Sequence, residues 1–178
     1  PRYASAPHLA RRAVAGTENL ARLLEAQVAS VLTKADVLVQ ATALQWQELP
    51  PPGDPAAMVA GLRSLAATVP GLQNLRVADA DGLWRLRVAS SGPPASSAEL
   101  LLPTPMAGAD ADAYRRARAE APGELQVSGP LRRGADQPWV LSLGRTMTGP
   151  DGRPAGWVSV DLPVTRFDAL FSAIDLGE

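Results

Sequence analysis

The chain has 178 residues, which is enough for one domain with a buried core but too few for two full domains. Its 17 basic and 18 acidic residues give a formal net charge of −1, so no overall field attracts nucleic acid or an anionic membrane surface. The sequence contains no cysteine, which excludes disulfides, thiolate metal sites and cysteine nucleophiles.

A long amphipathic helix is predicted over residues 8–49, a stretch without proline in which Gly16 is the only glycine. Apolar residues recur three and four positions apart, for example at Leu24, Val28 and Val31. A helix of roughly forty residues would be about 60 Å long, which exceeds the width of a domain of this size. We therefore expect part of the helix to project from the body of the domain.

Consecutive prolines at positions 50–52 end this helix, because proline lacks an amide donor and clashes with the preceding turn. Asp54 then caps a second predicted helix, which runs to about Thr68. Residues 72–78 and 83–90 have the alternating pattern of strands, and the short turn between them predicts a hairpin.

Residues 91–108 are rich in Gly, Pro, Ser and Ala and are predicted to form a long surface loop. Loops of this length tend to act as lids or binding segments. A short helix is predicted over residues 110–120, where acidic residues come first and arginines last, as the helix dipole favours. Residues 124–128 are the third predicted strand.

The end of the chain gives the clearest architectural signal. Residues 137–148 and 153–162 are two predicted strands joined by the turn Gly149-Pro150-Asp151-Gly152, and an amphipathic helix follows over residues 164–174. The order of elements predicts an α+β fold, with the long N-terminal helix packed on a five-stranded antiparallel sheet and short flanking helices.

Several segments occur in an order and spacing that is specific as a set. They are the long helix, Val-Pro-Gly-Leu-Gln-Asn-Leu-Arg-Val-Ala-Asp-Ala-Asp-Gly at 69–82, Leu-Gln-Val-Ser-Gly-Pro at 125–130, Leu-Ser-Leu-Gly-Arg at 141–145 and Asp-Gly-Arg-Pro-Ala-Gly-Trp-Val-Ser-Val-Asp-Leu at 151–162. This pattern resembles the Cache family of extracytoplasmic sensor domains. The resemblance starts at about residue 15 and implies a PAS-like sheet, with the helix (1–49) and the sensor domain (50–178) as one structural unit.

The resemblance also implies where a ligand would bind. In Cache members that bind amino acids, an Arg two residues before a Trp-Tyr pair binds the carboxylate, and an Asp in the final strand binds the ammonium group. Asp161 matches this Asp and Tyr114 matches the Tyr, but Ala111 and Ala113 stand where the Arg and Trp would be. The chain therefore lacks the family's charge-assisted contact to an amino-acid carboxylate.

The candidate ligand-binding residues are Tyr114, Arg145 and Asp161. Asp161 can accept hydrogen bonds from a cationic or hydroxyl ligand, or it can cap the following helix or pair with an arginine such as Arg166. Arg145 can bind an anion through its planar fork or form a structural ion pair. Tyr114 can close the pocket or belong to the core. We expect Arg145 and Asp161 to face a common pocket that residues 91–114 cover.

Other chemistries find little support in the sequence. His8 is the only histidine, so a Ser-His-Asp triad or a histidine metal site is not predicted. Asp79 and Asp81 resemble the start of a calcium loop, but the later oxygen ligands are missing. Arg132 and Arg133 form a small basic patch, which we interpret as solvated and not as a nucleic-acid contact. No catalytic residue, metal or cofactor is predicted.

The resemblance implies a periplasmic sensor of a small molecule, with no catalysis of its own, in a membrane-anchored diguanylate cyclase or histidine kinase. Residues 167–177 look most like the variety fused to diguanylate cyclases. A homodimer through the N-terminal helix is expected, although burial of the same residues against the sheet fits equally well. The alternative hypothesis is a ligand-free structural or dimerisation module of a membrane receptor.

Overall fold

A computed structural model of the chain describes residues 6–48, 55–89, 98–168 and 172. In this part of the chain the helices are α1 (Ala6–Glu48), α2 (Pro55–Ala66) and α3 (Gly108–Glu120). The strands are β1 (Asn74–Asp79), β2 (Leu83–Ala89), β3 (Ala98–Pro105), β4 (Gln126–Arg132), β5 (Trp139–Thr148) and β6 (Pro154–Pro163).

The six strands of the described residues form one sheet with the order β3-β2-β1-β6-β5-β4, and all neighbours are antiparallel. The two strands at its centre, β1 and β6, come from distant parts of the sequence, and Asn74 pairs in register with Asp161. The α+β fold predicted from the sequence is confirmed. The predicted count of five strands is wrong by one.

The additional strand is β3, which lies inside the segment predicted to be a loop. Pro103 and Pro105 made this segment resemble a loop, because proline cannot donate to a strand ladder. Among the described strands, β3 pairs with β2 alone and forms an edge of the sheet, where an unpaired side tolerates proline. Residues 90–97 lie outside the described part of the chain.

The predicted hairpin at the end of the chain is confirmed. The amide of Gly149 donates to the carbonyl of Arg153 at 2.8 Å, and the carboxylate of Asp151 accepts a hydrogen bond from the Arg153 amide at 3.1 Å. Gly152 has a φ of 76°, a conformation that glycine adopts without strain. After β6, residues 165–168 are helical, and most of the remaining predicted helix lies outside the described residues.

One face of the sheet, which we call the α1 face, carries the main hydrophobic core. Strand residues on this face include Leu75, Leu143 and Val160, all fully buried. They pack against α1 and α2 in a continuous cluster. Members of this cluster from the helices are Ala35, Leu38, Val39, Leu62 and Ala66. Burial of a side chain of this size contributes about 1.5–3 kcal/mol, so this face holds the fold together.

The N-terminal half of α1 extends past this core. α1 has 43 residues and is therefore about 65 Å long. The side chains of residues 7–27 are exposed apart from Leu24, and packing against the sheet begins near Val28. No helix in the described part of the chain is long and apolar enough to cross a membrane.

The opposite face of the sheet, the α3 face, is covered by α3. Side chains alternate along a strand, so Trp157, Ser159 and Asp161 of β6 lie on this face while Val158 and Val160 lie on the other. A second hydrophobic cluster joins α3 to the sheet at one end of the face. Its buried members are Ala78, Trp84, Ala113, Tyr114, Ala117 and Trp157.

Candidate functional site

Asp161 is the most deeply buried charged group on the α3 face. Only 1% of its side chain is exposed. Arg133 donates to both of its oxygens, with Nε 2.9 Å from Oδ2 and Nη2 3.0 Å from Oδ1. The amide nitrogen of Asn74, on the neighbouring strand, lies 3.5 Å from Oδ2. A buried carboxylate is costly unless it is paired, and this one is paired through both oxygens.

Arg133 reaches this position from the connection between β4 and β5. It also donates through Nη1 to Asp110 in α3, and its Nη2 lies 3.4 Å from the hydroxyl of Ser142. Burial lowers the pKa of Arg133, but the hydrogen bonds and charges of Asp161 and Asp110 outweigh this effect and raise it overall. Arg133 is therefore a permanent cation, and 19% of its side chain is exposed.

Arg76 supplies the second cation of the α3 face. Its Nη2 lies 3.2 and 3.3 Å from the two oxygens of Asp110. Its guanidinium carbon lies 4.1 Å from the ring centroid of Trp84, a cation–π contact that favours the charged form. Burial lowers the pKa of Arg76, and the nearby charge of Asp110 opposes that shift.

Arg76, Asp110, Arg133 and Asp161 together form what we call the ionic cluster. The two signs alternate along the chain of contacts, so the net charge of the cluster is zero. Asp110 lies in the first turn of α3, where the partial positive charge of the helix end favours a carboxylate. The cluster therefore joins β1, β6, α3 and the connection between β4 and β5 through ion pairs.

Two buried side-chain atoms, one in the ionic cluster and one beside it, have no hydrogen-bond partner in the described part of the chain. Among the described residues, Arg76 Nε and Ser159 Oγ are buried side-chain atoms with no hydrogen-bond partner. Arg76 and Ser159 are register partners on the adjacent strands β1 and β6. An unsatisfied buried donor costs about 1–3 kcal/mol, so the site has binding capacity that the protein itself does not use.

Tyr114 lies at the other end of the α3 face. Its hydroxyl donates to the carbonyl of Ala80 at 3.1 Å, and its ring centroid is 5.9 Å from that of Trp157. Burial raises the pKa of Tyr114, so its hydroxyl stays protonated. Tyr114 and Asp161 therefore share one face, with an aromatic end and an ionic end separated along β6 by the four positions from Trp157 to Asp161.

Arg145 lies on the α1 face instead. It forms a bidentate ion pair with Asp36 of α1, with Nε 2.6 Å from Oδ1 and Nη2 2.8 Å from Oδ2, and it also donates to the carbonyl of Gly123. The hydrogen bond from Arg145 lowers the pKa of Asp36. In the strand register Arg145 pairs with Val158, so the expectation that Arg145 and Asp161 face one pocket is wrong.

Three members of the ionic cluster were not predicted from the sequence as site residues. Arg133 was interpreted as part of a solvated patch, which is wrong, although Arg132 is exposed beside Trp139. Arg76 had no predicted ligand role, and Asp110 was assigned only to the dipole of the third helix. Asp161 pairs with an arginine as one alternative proposed, but the partner is Arg133 and not Arg166. No sequence signal links these residues, because their contacts span 23 to 34 positions.

Metal binding has no structural support in the described residues, since they contain no group of three or more His, Cys, Asp or Glu side chains placed to hold an ion. The two carboxylates of the ionic cluster are instead both committed to arginines.

Solved structures with the same fold are sensory domains. The ligand-binding domain of the Campylobacter jejuni chemoreceptor Tlp3 in complex with L-valine has 14% identity and a TM-score of 0.64, over 92% of this chain and 65% of that one. The extracellular domain of the candidate histidine kinase rpHK1S-Z16 has 24% identity and a TM-score of 0.64, over 90% and 62%. The extracellular domain of the candidate histidine kinase vpHK1S-Z8 has 15% identity and a TM-score of 0.67, over 94% of this chain and 63% of that one.

The chain thus has the fold of extracellular sensor domains of chemoreceptors and histidine kinases, in agreement with its resemblance to Cache domains. It spans less than two thirds of the length of these structures. No protein-family model matches the sequence, and no curated protein matches it either.

Proposed function

We propose that this chain is the small-molecule-sensing domain of a membrane-anchored bacterial signalling protein, a diguanylate cyclase or a histidine kinase, and that it acts in the periplasm without catalysing a reaction. The observation that carries the proposal is the ionic cluster. A buried, charge-balanced set of groups with two unused polar atoms lies on the α3 face of a fold found in sensory domains.

In this proposal the solute binds on the α3 face, between the sheet and α3. Asp161 and Tyr114 contact it at the ionic and aromatic ends of the face. Arg145 has a different part, because its side chain holds α1 through Asp36 on the opposite face. Of the three ligand residues predicted from the sequence, two therefore belong to the binding face and one belongs to the coupling between sheet and helix.

The signal passes to α1 through the contacts that α1 makes with the sheet. The turn after α3 is fixed to β5 on both sides, since the Gly123 amide donates to the hydroxyl of Thr146 at 2.7 Å and its carbonyl accepts from Arg145. Arg145 in turn binds Asp36 of α1. A ligand shifts this arrangement only if it binds one position of α3 more tightly than another.

The projecting half of α1 forms a homodimer in this proposal. Large apolar side chains on it are exposed to solvent, among them Leu9, Val14, Leu20 and Leu23. Leu20 and Leu24, four residues apart, extend the spacing of Val28 and Val31 into this region, and such spacing suits the pairing of two parallel helices. Sedimentation equilibrium tests this step, because a chain that stays monomeric at high concentration contradicts it.

A thermal-shift screen of amino acids, carboxylates, polyamines and purines tests the sensing function. A ligand present at about 100 times its Kd stabilises the folded state by about 2.7 kcal/mol, which raises the melting temperature measurably. The Asp161→Asn variant is the matched control, since it keeps the shape of the side chain and removes its charge. We expect a compound that stabilises the wild-type chain to lose most of its effect in this variant.

A ligand-free structural or dimerisation module is the second candidate function. It is favoured by the closure of the ionic cluster, in which Arg133 and Asp110 already neutralise Asp161 and Arg76. This candidate requires that no compound in the screen stabilises the chain. It also requires that variants of the ionic cluster leave signalling by the parent protein unchanged.

A further inference from the structure

The four charges of the ionic cluster fall into two classes. Asp161 and Arg76 belong to β6 and β1, which are adjacent strands at the centre of the sheet. Arg133 and Asp110 come from elements outside the sheet, namely the β4–β5 connection and the first turn of α3. Within the ionic cluster, the sheet thus contributes one anion and one cation, and elements outside the sheet supply the matching partners.

Arg133 and Asp110 satisfy the two charges of the sheet unequally. Arg133 fits Asp161 well, because its Nε and Nη2 bind the two carboxylate oxygens in parallel at 2.9 and 3.0 Å. Asp110 fits Arg76 less well, because both of its oxygens share the single atom Nη2 at 3.2 and 3.3 Å. Arg76 Nε stays without a partner, and the neighbouring hydroxyl of Ser159 does as well.

We propose that the α3 face binds a small guanidino carboxylate, whose planar guanidinium takes the place of Arg133 on Asp161 and whose carboxylate binds Arg76. This inference rests on the proposed sensor function. The Arg133–Asp110 pair is the internal occupant of the same site and must be displaced by the ligand. A free carboxylate gains what Asp110 lacks, since it can accept from both Nε and Nη2 of Arg76 and from the Ser159 hydroxyl.

A guanidinium fits Asp161 better than an ammonium group does. The carboxylate of Asp161 offers two buried oxygens that one planar fork engages together, whereas a single ammonium nitrogen cannot make two parallel contacts of this kind. A second cation cannot share Asp161 with Arg133 in so closed a place, so ligand and Arg133 compete directly.

This competition sets the expected affinities. A tethered group acts at an effective concentration of about millimolar or more, so it weakens the apparent affinity for a free ligand correspondingly. Removal of Arg133 abolishes the competition and leaves Asp161 buried without its partner. We therefore expect the Arg133→Ala variant to be less stable than the wild-type chain and to bind guanidino compounds at least about tenfold more tightly.

Isothermal titration calorimetry with four probes tests the proposal. The probes are guanidinoacetate, glycine, methylguanidinium and acetate, so that each charged group is present, exchanged or absent. We expect guanidinoacetate to bind most tightly to the Arg133→Ala variant and to restore part of its lost thermal stability. Arg153→Ala is the matched control, because 86% of that side chain is exposed and it should behave like the wild-type chain.

Equal or tighter binding of glycine, or no binding of guanidinoacetate to a cooperatively folded Arg133→Ala variant, overturns the inference. If that variant does not fold, the four probes must rank by affinity in the same order with the Arg133→Gln variant and with the wild-type chain at higher probe concentration. A different order of affinities also overturns the inference. A non-guanidino compound that stabilises the wild-type chain through Asp161 would leave the sensor proposal intact while the guanidino inference fails. If no compound binds any variant, both fail.

Discussion

The two faces of the central sheet are both covered by helices but are filled in different ways. Along β6 the residues Val158, Val160 and Leu162 pack into the hydrocarbon core under α1, while Asp161 binds Arg133 and the side-chain amide of Asn74 under α3. The α1 face is filled mainly by packed apolar side chains, and its ion pair between Arg145 and Asp36 is satisfied through both carboxylate oxygens. The α3 face leaves Ser159 Oγ and Arg76 Nε unsatisfied. The burial of a residue therefore says little about its role in function. A buried polar atom without a hydrogen-bond partner is a better indication of a functional role.

The largest effect is expected from a truncation on the α1 face. Leu143→Ala removes a fully buried side chain from the centre of the main core, so it should lower the free energy of unfolding by about 2–5 kcal/mol. Urea unfolding followed by circular dichroism measures this change. Leu102→Ala is the control, because 86% of Leu102 is exposed and its loss should change stability by less than about 0.5 kcal/mol. Similar losses in both variants would contradict the assignment of the core to this face.

A substitution within the ionic cluster should cost slightly less. Asp161→Asn leaves Arg133 with Asp110 as its remaining carboxylate partner, so we expect a loss of about 3 kcal/mol, at the lower end for a broken buried pair. The double variant Arg133→Met with Asp161→Leu should be more stable than Asp161→Asn, because it leaves no buried charge of this pair unmatched. Urea unfolding of the single and double variants gives both values.

The comparison of the single and double variants also tests whether the Arg133–Asp161 pair serves folding or ligand binding. If the double variant matches or exceeds the wild-type stability, the pair is not kept for folding, and the contrast between the two faces becomes a contrast between structure and function. A double variant less stable than Asp161→Asn would show instead that the pair is a structural requirement of the α3 face.

Local sequence patterns predicted most of the helices and strands. The element that they missed depends on contacts between residues far apart in the sequence. The spacing of apolar residues predicted α1, and the Gly149-Pro150-Asp151-Gly152 turn predicted the β5–β6 hairpin. β3 was missed because its prolines are tolerated only at a sheet edge, and edge position is a property of the whole sheet. The sequence holds no local record of that position.

The candidate site was predictable only in part for the same reason. Asp161 was identified on the correct strand, but its partner Arg133 lies 28 residues away in a connection that reads as solvated. Arg145 was identified on β5 and assigned to the wrong face, because the strand register decides which residues of β5 lie beside Asp161. A shift of one residue in register exchanges the faces of a strand, and the turn sequence alone did not fix it.

A moderate effect is expected from crowding the aromatic end of the α3 face. A Cβ atom at Gly144 would lie 2.1 Å from a ring carbon of Trp157, which is itself packed beside Tyr114. Gly144→Ala should therefore lower the free energy of unfolding by about 1–3 kcal/mol through overpacking. Near-ultraviolet circular dichroism should show the displaced indole, and urea unfolding gives the stability.

The control for this change is Gly61→Ala in α2. A Cβ atom there would meet the Gln45 side chain at 3.6 Å, an ordinary contact, and alanine favours the helix by about 0.5–1 kcal/mol. Gly61→Ala should therefore stabilise the chain. If Gly144→Ala is equally benign, the indole of Trp157 does not lie against β5 and the α3 face is less tightly packed than its aromatic contacts imply.

The smallest effect is expected from the loss of the Arg145–Asp36 ion pair, which lies on the α1 face. Arg145 holds the pKa of Asp36 below its ordinary value, so the pair stabilises the folded chain above the unfolded pKa of about 3.9 and stops doing so as the pH falls through the lower folded pKa. Asp36→Asn should cost about 1 kcal/mol at neutral pH, because the pair is partly exposed, and the difference from the wild-type chain should vanish in acid.

Urea unfolding of both proteins between neutral pH and about pH 3 measures this convergence. Asp112→Asn is the matched control, since Asp112 pairs with Arg115 on the open surface of α3 and its loss should change stability by less than about 0.5 kcal/mol. A constant difference between Asp36→Asn and the wild-type chain at every pH would mean that the charge of Asp36 is not what holds α1 to the sheet. In that case the apolar contacts alone couple the helix to β5, and the route from Gly123 through Arg145 to α1 has no electrostatic basis.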